Sequence, residues 1–353
     1  MSTIARSTYE TSLRYLLAPI LPFLQEQSDV TEIMINGADE IYVERRGQIE
    51  KTGARFADEE SLLAAVTNIA QLSGRQVRPE EPRFDARLPQ GHRVHVVLPP
   101  LCRNGISVTI RKHAKGSLSM EDLLIKESLS PEAAEYLAAC IRRQRNLIVS
   151  GGTGTGKTTL LNALSALIPP GERIIVIEDS AELQIQQQHV LSLETRPPDR
   201  KGRGAVTIRD LLHSALRMRP DRIVIGECRG GEAFDLLQAM NTGHAGSMST
   251  VHANTPREAL KRLETLALLS GVEVPLRFLR AQVAAAIHVV VQLQRLAGRR
   301  FVHSIAACQE LDAAGDYRTI ALYAWDPQTA ALRPTAEAAA YLDGDDAALS
   351  LHG

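Results

Sequence analysis

The chain has 353 residues, of which 44% are hydrophobic and 4% aromatic, with 40 basic and 41 acidic side chains and a formal net charge of −1. This length predicts two domains more readily than one. The balanced charge and the few aromatic rings argue against a nucleic-acid partner, because such proteins carry a basic field or base-stacking platforms. The four cysteines form no C-x-x-C pair, which argues against a zinc module or disulfide framework and favours a reducing, cytoplasmic setting.

The N-terminal part of the chain predicts an α+β unit. Residues 8–27 have a helical pattern that Pro19 and Pro22 interrupt, so we expect no membrane span there, and membrane contact only through a partner. Alternating apolar residues predict strands at 32–37, 41–47, 93–98 and 106–112. A helix is predicted over 59–72, with an apolar face of Leu62, Leu63, Val66, Ile69 and Ala70. Residues 1–112 are thus predicted to form an N-terminal domain, and 113–119 a polar linker.

The octapeptide GGTGTGKT is the most informative motif, because it matches the phosphate-binding loop pattern G-x-x-x-x-G-K-[ST]. It consists of Gly151, Gly152, Thr153, Gly154, Thr155, Gly156, Lys157 and Thr158. The glycines allow backbone N–H groups to surround an anion, Lys157 sets a positive charge against the outer phosphates, and the Thr158 hydroxyl suits Mg²⁺. A strand pattern at 146–150 precedes the loop, and a helix pattern beginning at Thr159 follows it. We therefore expect ATP and Mg²⁺ as cofactors.

Beyond the linker, strand and helix patterns alternate. Ser119 is predicted to cap a helix over 120–126, and Ser130 with Pro131 begins another. Further strands are predicted at 173–178, 190–194, 222–226, 247–252 and 286–293, and helices near 207–218, 231–240 and 257–269. Such alternation predicts a largely parallel sheet with helices on both faces and a ligand at the carboxyl ends of the strands. Residues 120–353 are thus predicted to form the nucleotide-binding domain with a C-terminal extension.

Carboxylates follow two of the apolar strands. Glu178 ends one strand and Glu182 lies shortly after it, while Glu227 follows another. Hydrolysis of a phosphoanhydride needs a carboxylate that orients or deprotonates water, and acidic groups that hold hydrated Mg²⁺. We expect Glu227 to act on the water and Glu178, with Thr158, to hold the metal ion. The alternative is that each carboxylate caps the following helix.

Histidines and arginines complete the set of candidate site residues. His244 and His252 lie in the small-residue segment Thr242–Asn254, and His252 is expected at a strand end where it senses the terminal phosphate. Arginines supply planar, permanently charged donors for phosphate. The candidates are Arg87, Arg93 and Arg111 in the first domain and Arg217, Arg219 and Arg229 in the second. For any one of these residues, a structural histidine or a surface salt bridge is the alternative.

Four motifs in order resemble those of the ATPase superfamily of type II and type IV secretion systems. They are the phosphate loop, the Asp box RIIVIEDSAEL, the Walker B segment LRMRPDRIVIGECRG and the His box TGHAGSMSTVHAN. The segments MINGADEIYVERRGQIE, FDARLPQGHRVHVVLPP, VTIRK and LETRPPDRKGRG are similar to the CpaF/TadA branch, which drives assembly of Tad (Flp) type IV pili. The resemblance covers about residues 10–310. The tetracysteine zinc module of many type II secretion ATPases is absent from the sequence, which argues against that branch.

The resemblance implies an α/β fold, in which an N-terminal α+β (PAS-like) domain precedes a RecA-like ATPase domain with a mostly parallel sheet. It also implies a homohexamer that binds ATP between the two domains and works on inner-membrane platform proteins from the cytoplasmic face. The family pattern makes Glu227 the Walker B glutamate, and it places Glu178 and Glu182 in the Asp box and His244 and His252 in the His box. The same pattern makes Arg87, Arg93 and Arg111 the arginines that close on the phosphates.

Three other functions compete with a pilus-assembly motor. A conjugation-type type IV secretion ATPase shares the motifs. A nucleic-acid translocase on a related core is disfavoured by the charge and aromatic content given above. A scaffold that binds ATP without hydrolysing it is disfavoured because Lys157, Thr158, Glu178 and Glu227 are all present.

Overall fold

The computed structural model describes residues 12–113, 116, 118–198, 202–338 and 341. The chain divides into two compact units, Met1–Gly116 and Ser117–Gly353. The predicted linker at 113–119 falls across this boundary, and its residues 114, 115 and 117 lie outside the described residues. No helix among the described residues is long and apolar enough to cross a membrane.

The first unit contains a six-stranded antiparallel sheet. Its strands are β1 (Val30–Asn36), β2 (Glu40–Arg45), β3 (Gln48–Lys51), β4 (Arg83–Arg87), β5 (Arg93–Val97) and β6 (Ser107–Arg111), in the spatial order β3-β2-β1-β6-β5-β4. The four predicted strands are present, and β3 and β4 are additional. The described part of the predicted helix over 8–27 is broken into helical residues 12–16, a 3-10 turn at Ala18–Ile20 and a short helix α1 (Leu21–Leu24).

The predicted helix of this unit is present as α2 (Glu59–Leu72). It begins where the Asp58 carboxylate accepts a hydrogen bond from the backbone N–H of Ser61 at 2.8 Å. The predicted apolar face is buried except for Leu63, which is 41% exposed. The buried positions Leu62, Val66 and Ile69 repeat at helical spacing, whereas Leu63 is rotated by about 100° from Leu62 and faces outward.

The second unit contains nine strands and seven helices within the described residues. The strands are β7 (Leu147–Ser150), β8 (Ile174–Glu178), β9 (Val190–Glu194), β10 (Arg222–Ile225), β11 (Met248–Val251), β12 (Val289–Leu296), β13 (Arg299–Cys308), β14 (Thr319–Asp326) and β15 (Ala331–Pro334). The helices are α3 (Met120–Ile125), α4 (Pro131–Arg142), α5 (Lys157–Ser165), α6 (Ile208–Ala215), α7 (Glu232–Asn241), α8 (Pro256–Leu268) and α9 (Leu276–Ala286). The sequence patterns missed α9 and β13 to β15.

These nine strands form one sheet in the order β15-β14-β13-β12-β7-β11-β10-β8-β9. The five pairings from β12 to β9 are parallel, and the three from β12 to β15 are antiparallel. The α/β fold with a mostly parallel sheet is therefore confirmed, and the C-terminal part extends the sheet. Because β7, β8, β10 and β11 are parallel, their carboxyl ends lie along one edge, where the phosphate loop begins.

Both faces of the parallel part are buried. In β8, Ile174 and Val176 belong to one hydrophobic cluster, while Ile175 and Ile177 belong to a second cluster on the other face. Because helices cover both faces of the sheet, side chains on both faces are buried. The sequences of these strands are therefore continuously apolar and do not alternate between apolar and polar residues.

At the opposite, amino edge of the sheet, where the parallel strands begin, a buried arginine joins several segments by hydrogen bonds. The Arg222 guanidinium is fully buried and donates to the Glu172 carboxylate, to the carbonyl of Ile141 at 2.9 Å and to that of Gly246 at 3.4 Å. Gly246 has a φ of +78°, and a Cβ there would lie 1.8 Å from Nη1 of Arg222. The position therefore requires glycine for two independent reasons.

Candidate active site

The phosphate loop joins β7 to α5 along the carboxyl edge of the sheet. Gly154 and Gly156 have φ angles of +69° and +98°, which side-chain-bearing residues rarely adopt. A Cβ at Gly151 would lie 2.6 Å from Oγ1 of Thr155 and 2.9 Å from the Leu293 carbonyl. The glycines therefore let the loop curl tightly in front of the helix N-terminus, where backbone N–H groups favour an anion.

The helix after the loop begins earlier than its sequence pattern indicated. It starts at Lys157 rather than Thr159, because Gly156 takes the left-handed conformation that ends the loop. Lys157, Thr158 and Thr159 are thus its first three residues. This places the Thr158 hydroxyl in the first turn, and the N–H groups of all three residues lack partners within the helix.

The Lys157 ammonium lies inside the loop rather than in solvent. It donates to the carbonyls of Gly151 at 3.0 Å and Gly152 at 2.9 Å, and it lies 3.4 Å from both ring nitrogens of His252. A positive charge is therefore held at the mouth of an N–H-lined concavity, as binding of a phosphate chain requires.

Glu227 follows β10 and lies between two nitrogen-bearing side chains. Its Oε1 is 2.9 Å from Nε2 of His252, and its Oε2 accepts a hydrogen bond from Arg229 at 2.7 Å. Burial alone would raise the pKa of Glu227, but the hydrogen bond and charge of Arg229, with His252 and Lys157, outweigh it and lower that pKa. Glu227 is therefore an ionised carboxylate at neutral pH, as a group that orients or deprotonates water must be.

His252 directly follows β11 and lies between Lys157 and Glu227. Burial, followed by the positive charge of Lys157, lowers the pKa of its imidazole. The neutral ring is therefore favoured at pH 7, and a proton on Nε2 is then donated to Glu227. This tautomer links the phosphate-loop lysine to the candidate water-activating carboxylate through one ring.

Glu178 is at the end of β8, and it orders the loop that follows. Its Oε1 accepts hydrogen bonds from the backbone N–H groups of Glu182 at 2.9 Å and Leu183 at 3.0 Å. Burial raises the pKa of Glu178 and outweighs these two hydrogen bonds. The side chain of Glu178 also packs against Gly226, where a Cβ would lie 3.0 Å from Cγ of Glu178. Glu178 and Glu182 therefore lie at the carboxyl edge, beside the strand that leads to Glu227.

His244 and Arg217 lie away from the phosphate loop, at the other edge of the sheet. His244 precedes β11, and its carbonyl accepts from the Ser247 hydroxyl at the amino edge of the sheet. Arg217 follows α6, next to Met218, whose carbonyl accepts from Arg173 just before β8. Both residues are thus at the edge opposite the phosphate loop of their own chain. Contact of either residue with nucleotide stays a prediction.

In the first unit, the three candidate arginines lie in one row across neighbouring strands. Arg87 of β4 pairs in register with Arg93 of β5, which pairs with Arg111 of β6. Directly opposed residues have side chains on the same face of a sheet, and like charges in that arrangement are destabilising. The structure thus places the three predicted arginines side by side on one face of the sheet.

The sequence analysis missed three residues of β12 and β13 that lie beside the phosphate loop. Gln292 is 2% exposed, pairs with Ser150, and donates to the carbonyls of Ala253 and Leu293, each at 3.2 Å. A Cβ at Gly154 would lie 3.3 Å from Nη1 of Arg295, and one at Gly156 would lie 3.8 Å from Cδ of Arg300. The one available signal was the glutamine inside the apolar run VVVQL.

These residues fit ATP and Mg²⁺. The tight curl of the loop has no room for a Cβ at Gly151, and the Lys157 ammonium is a cation of the kind that the outer phosphates of ATP require. The described residues contain no group of three or more His, Cys, Asp or Glu side chains that could hold a metal by themselves. Mg²⁺ needs fewer protein ligands than that, because it retains several waters and binds phosphate oxygens. Thr158 with one nearby carboxylate is sufficient.

Comparisons with known proteins identify a family and a shared fold. The sequence profile of the family described as Type II/IV secretion system protein matches residues 16–329. The type IV secretion system protein PtlH of Bordetella pertussis is 37% identical over 318 residues, which cover 82% of this chain and 92% of PtlH. The conjugal transfer protein TrbB of Rhizobium radiobacter is 34% identical over 286 residues, covering 79% and 84% of the two chains. The crystal structure of the pilus retraction motor PilT with bound ADP superposes with a TM-score of 0.58 at 19% identity, over 96% of this chain and 88% of that one.

Proposed function

Since the chain belongs to the Type II/IV secretion system protein family, we propose that it is an ATPase whose hydrolysis of ATP drives a secretion or pilus-assembly machine. The observation that carries this proposal is the linked set Lys157–His252–Glu227–Arg229 at the carboxyl edge of the sheet. A protein that only stored nucleotide would need the phosphate loop. It would not need an ionised carboxylate hydrogen-bonded beside it.

Each residue has a distinct part in the proposed reaction. Lys157 binds the outer phosphates of ATP in both ground and transition states. Thr158 and Glu178 would hold Mg²⁺, which would supply positive charge against the phosphate oxygens. Glu227 accepts a proton from, or orients, the attacking water, and its lowered pKa keeps it ionised for that purpose. Arg229 and His252 hold the two carboxylate oxygens and so fix the direction in which Glu227 faces.

The family and its relatives support a role in secretion or conjugal transfer. PtlH and TrbB are named for type IV secretion and conjugal transfer, which favours a conjugation-type or secretion ATPase. The segments quoted above as similar to the CpaF/TadA branch favour Tad pilus assembly as the second candidate. In both cases we propose a cytoplasmic homohexamer, peripheral to the membrane, that contacts inner-membrane platform proteins and no nucleic acid.

The test is steady-state phosphate release from Mg²⁺-ATP by the purified chain, with Lys157→Ala as the inactive comparison. We expect turnover by the native chain and almost none by the variant. Absence of turnover at every protein concentration, with ATP still bound, would favour the scaffold function instead. Stimulation of hydrolysis by single- or double-stranded DNA would favour a translocase.

Light scattering with and without a non-hydrolysable ATP analogue tests whether the chain forms the proposed homohexamer. We expect a species of six chains when the analogue is present. A strictly monomeric chain at high protein and nucleotide concentrations would contradict the homohexamer.

A further inference from the structure

We propose that Arg295 and Arg300, which face each other across the β12–β13 hairpin, form a second cationic contact for the phosphates of the bound nucleotide. The inference deepens the proposed function and rests on it, because it takes the phosphate loop to bind ATP. It adds residues from the antiparallel part of the sheet to the nucleotide site.

The first observation is the register of the hairpin. Arg295 and Arg300 are directly opposed, and Leu296 is opposed to Arg299. The two residues that remain, Ala297 and Gly298, have φ angles of +48° and +82° and make the turn. A two-residue turn of this kind holds the strands closely together. The side chains of Arg295 and Arg300 therefore leave the same face of a short, tight ribbon.

The second observation is where this ribbon lies. Gln292 is level with Ser150, the last residue of β7, so the four residues Leu293–Leu296 continue past the sheet edge. At about 3.3 Å per residue, the hairpin extends roughly 13 Å beyond the point where the phosphate loop begins. The Leu293 carbonyl would lie 2.9 Å from a Cβ at Gly151, so β12 passes directly along the loop.

The third observation is the contact between the arginines and the loop itself. Nη1 of Arg295 and Cδ of Arg300 would lie 3.3 Å and 3.8 Å from Cβ atoms placed on Gly154 and Gly156. These two glycines belong to the part of the loop whose backbone N–H groups surround the phosphates. Two long cationic side chains therefore lie directly beside the phosphate loop.

Arg299 of the same hairpin provides an internal contrast. Neighbouring residues of a strand point to opposite faces, and Arg299 accordingly faces away from Arg300. Its guanidinium lies 5.1 Å from the ring centroid of Trp325 and donates to the Glu127 carbonyl at 3.0 Å. Arg299→Gln thus removes the same charge from the same hairpin on the face that the proposal does not use.

The experiment measures the dissociation constants of ADP and of a non-hydrolysable ATP analogue by calorimetric titration. The proteins are the native chain, Arg295→Gln, Arg300→Gln, the double variant, Arg295→Lys and Arg299→Gln. Because both groups are at least partly exposed and screened by solvent, we expect each glutamine variant to weaken both nucleotides by about three- to ten-fold. We expect the double variant to weaken them further, Arg295→Lys to retain most of the affinity, and Arg299→Gln to stay within about two-fold of the native value.

A second readout separates binding from folding. The rise in thermal midpoint that saturating ADP produces, relative to the same variant without ADP, should shrink in the double variant and persist in Arg299→Gln. Native affinities in the double variant would overturn the inference and leave the ATPase proposal intact. An equal loss in Arg299→Gln would also overturn it, because the loss would then come from the hairpin as a whole. If the native chain binds neither nucleotide, both proposals fail together.

Discussion

Nε2 of His252 lies 2.9 Å from Oε1 of Glu227, and the two residues come from the ends of neighbouring parallel strands. The same imidazole is 3.4 Å from the Lys157 ammonium. One neutral ring thus joins the residue that meets the outer phosphates to the carboxylate proposed to act on water. Movement of Lys157 towards a phosphate chain would change the surroundings of this ring and, through it, the orientation of Glu227.

Acidification should destabilise the protein through His252. Its pKa is lowered by burial and by Lys157, so the folded chain binds fewer protons at this residue than the unfolded chain does below about pH 6.5. The contribution to stability is complete above the unfolded pKa and is lost as the pH falls through the lower, folded pKa. Thermal midpoints between pH 8 and pH 5 should therefore fall less steeply for His252→Asn than for the native chain. If the thermal midpoints of the two proteins change with pH in parallel, the lowered pKa of folded His252 is contradicted.

Gly246 should tolerate alanine poorly. Its φ is +78°, and the added Cβ would lie 1.8 Å from Nη1 of buried Arg222, so Gly246→Ala combines backbone strain with displacement of a buried charge. We expect a loss of about 2–5 kcal/mol in the free energy of unfolding, measured by urea denaturation. Gly243→Ala is the matched control, because Gly243 has a φ of +101° but no atom within 4 Å of the point where its Cβ would lie.

Gly243→Ala should cost only the backbone strain, about 1–2 kcal/mol. Equal losses for the two alanine variants would show that Arg222 moves aside without cost. The hydrogen bonds of Arg222 at the amino edge of the sheet would then contribute little to the free energy of unfolding.

Sequence patterns grouped three candidate catalytic residues correctly at one edge of the sheet, because these residues come at the ends of apolar strands. Glu178, Glu227 and His252 each come at the end of such a run, and parallel pairing places those ends together. His244 and Arg217 belong to the same motifs, but they precede their strands and so lie at the other edge. Membership of a motif does not show at which edge of the sheet a residue lies. Whether the residue precedes or follows its strand does.

Elements without an apolar pattern escaped prediction. All four residues of β3 are exposed, so neither alternation nor a buried run marks it. The pairing of Arg295 with Arg300 depends on where the hairpin turns, and one residue more or fewer in that turn would have changed which side chains are opposed. The arginine row of the first unit was identified from the family resemblance, and its alignment across three strands became visible only in the fold.

Alanine at Arg87, Arg93 and Arg111 should reduce turnover more than nucleotide affinity. Developing charge in the transition state makes such cations more valuable during hydrolysis than during binding. In other phosphate-loop enzymes a single arginine increases the turnover rate by about 10³- to 10⁵-fold. For each of these three neighbouring arginines we expect an effect at or below the lower end of that range. Phosphate release and the affinities for ATP and ADP should be compared for the single variants and for the triple variant.

Arg83→Ala is the control for this series, because Arg83 lies at the other end of β4, opposite Val97. We expect it to retain native turnover. If the triple variant also hydrolyses ATP at the native rate, the first unit does not take part in the reaction. A hydrolysis cycle coupled to that unit would then have to be abandoned.

The most direct test of the central claim is the comparison of nucleotide binding with phosphate release in Glu227→Gln. Glutamine keeps the shape of the side chain but cannot take a proton from water, so we predict near-native affinity for ATP and a loss of turnover of at least about 100-fold. Glu194→Gln, an exposed carboxylate at the end of β9 on the same sheet edge, should hydrolyse ATP normally. Turnover by Glu227→Gln close to that of the native chain would show that another group activates the water and would contradict the account.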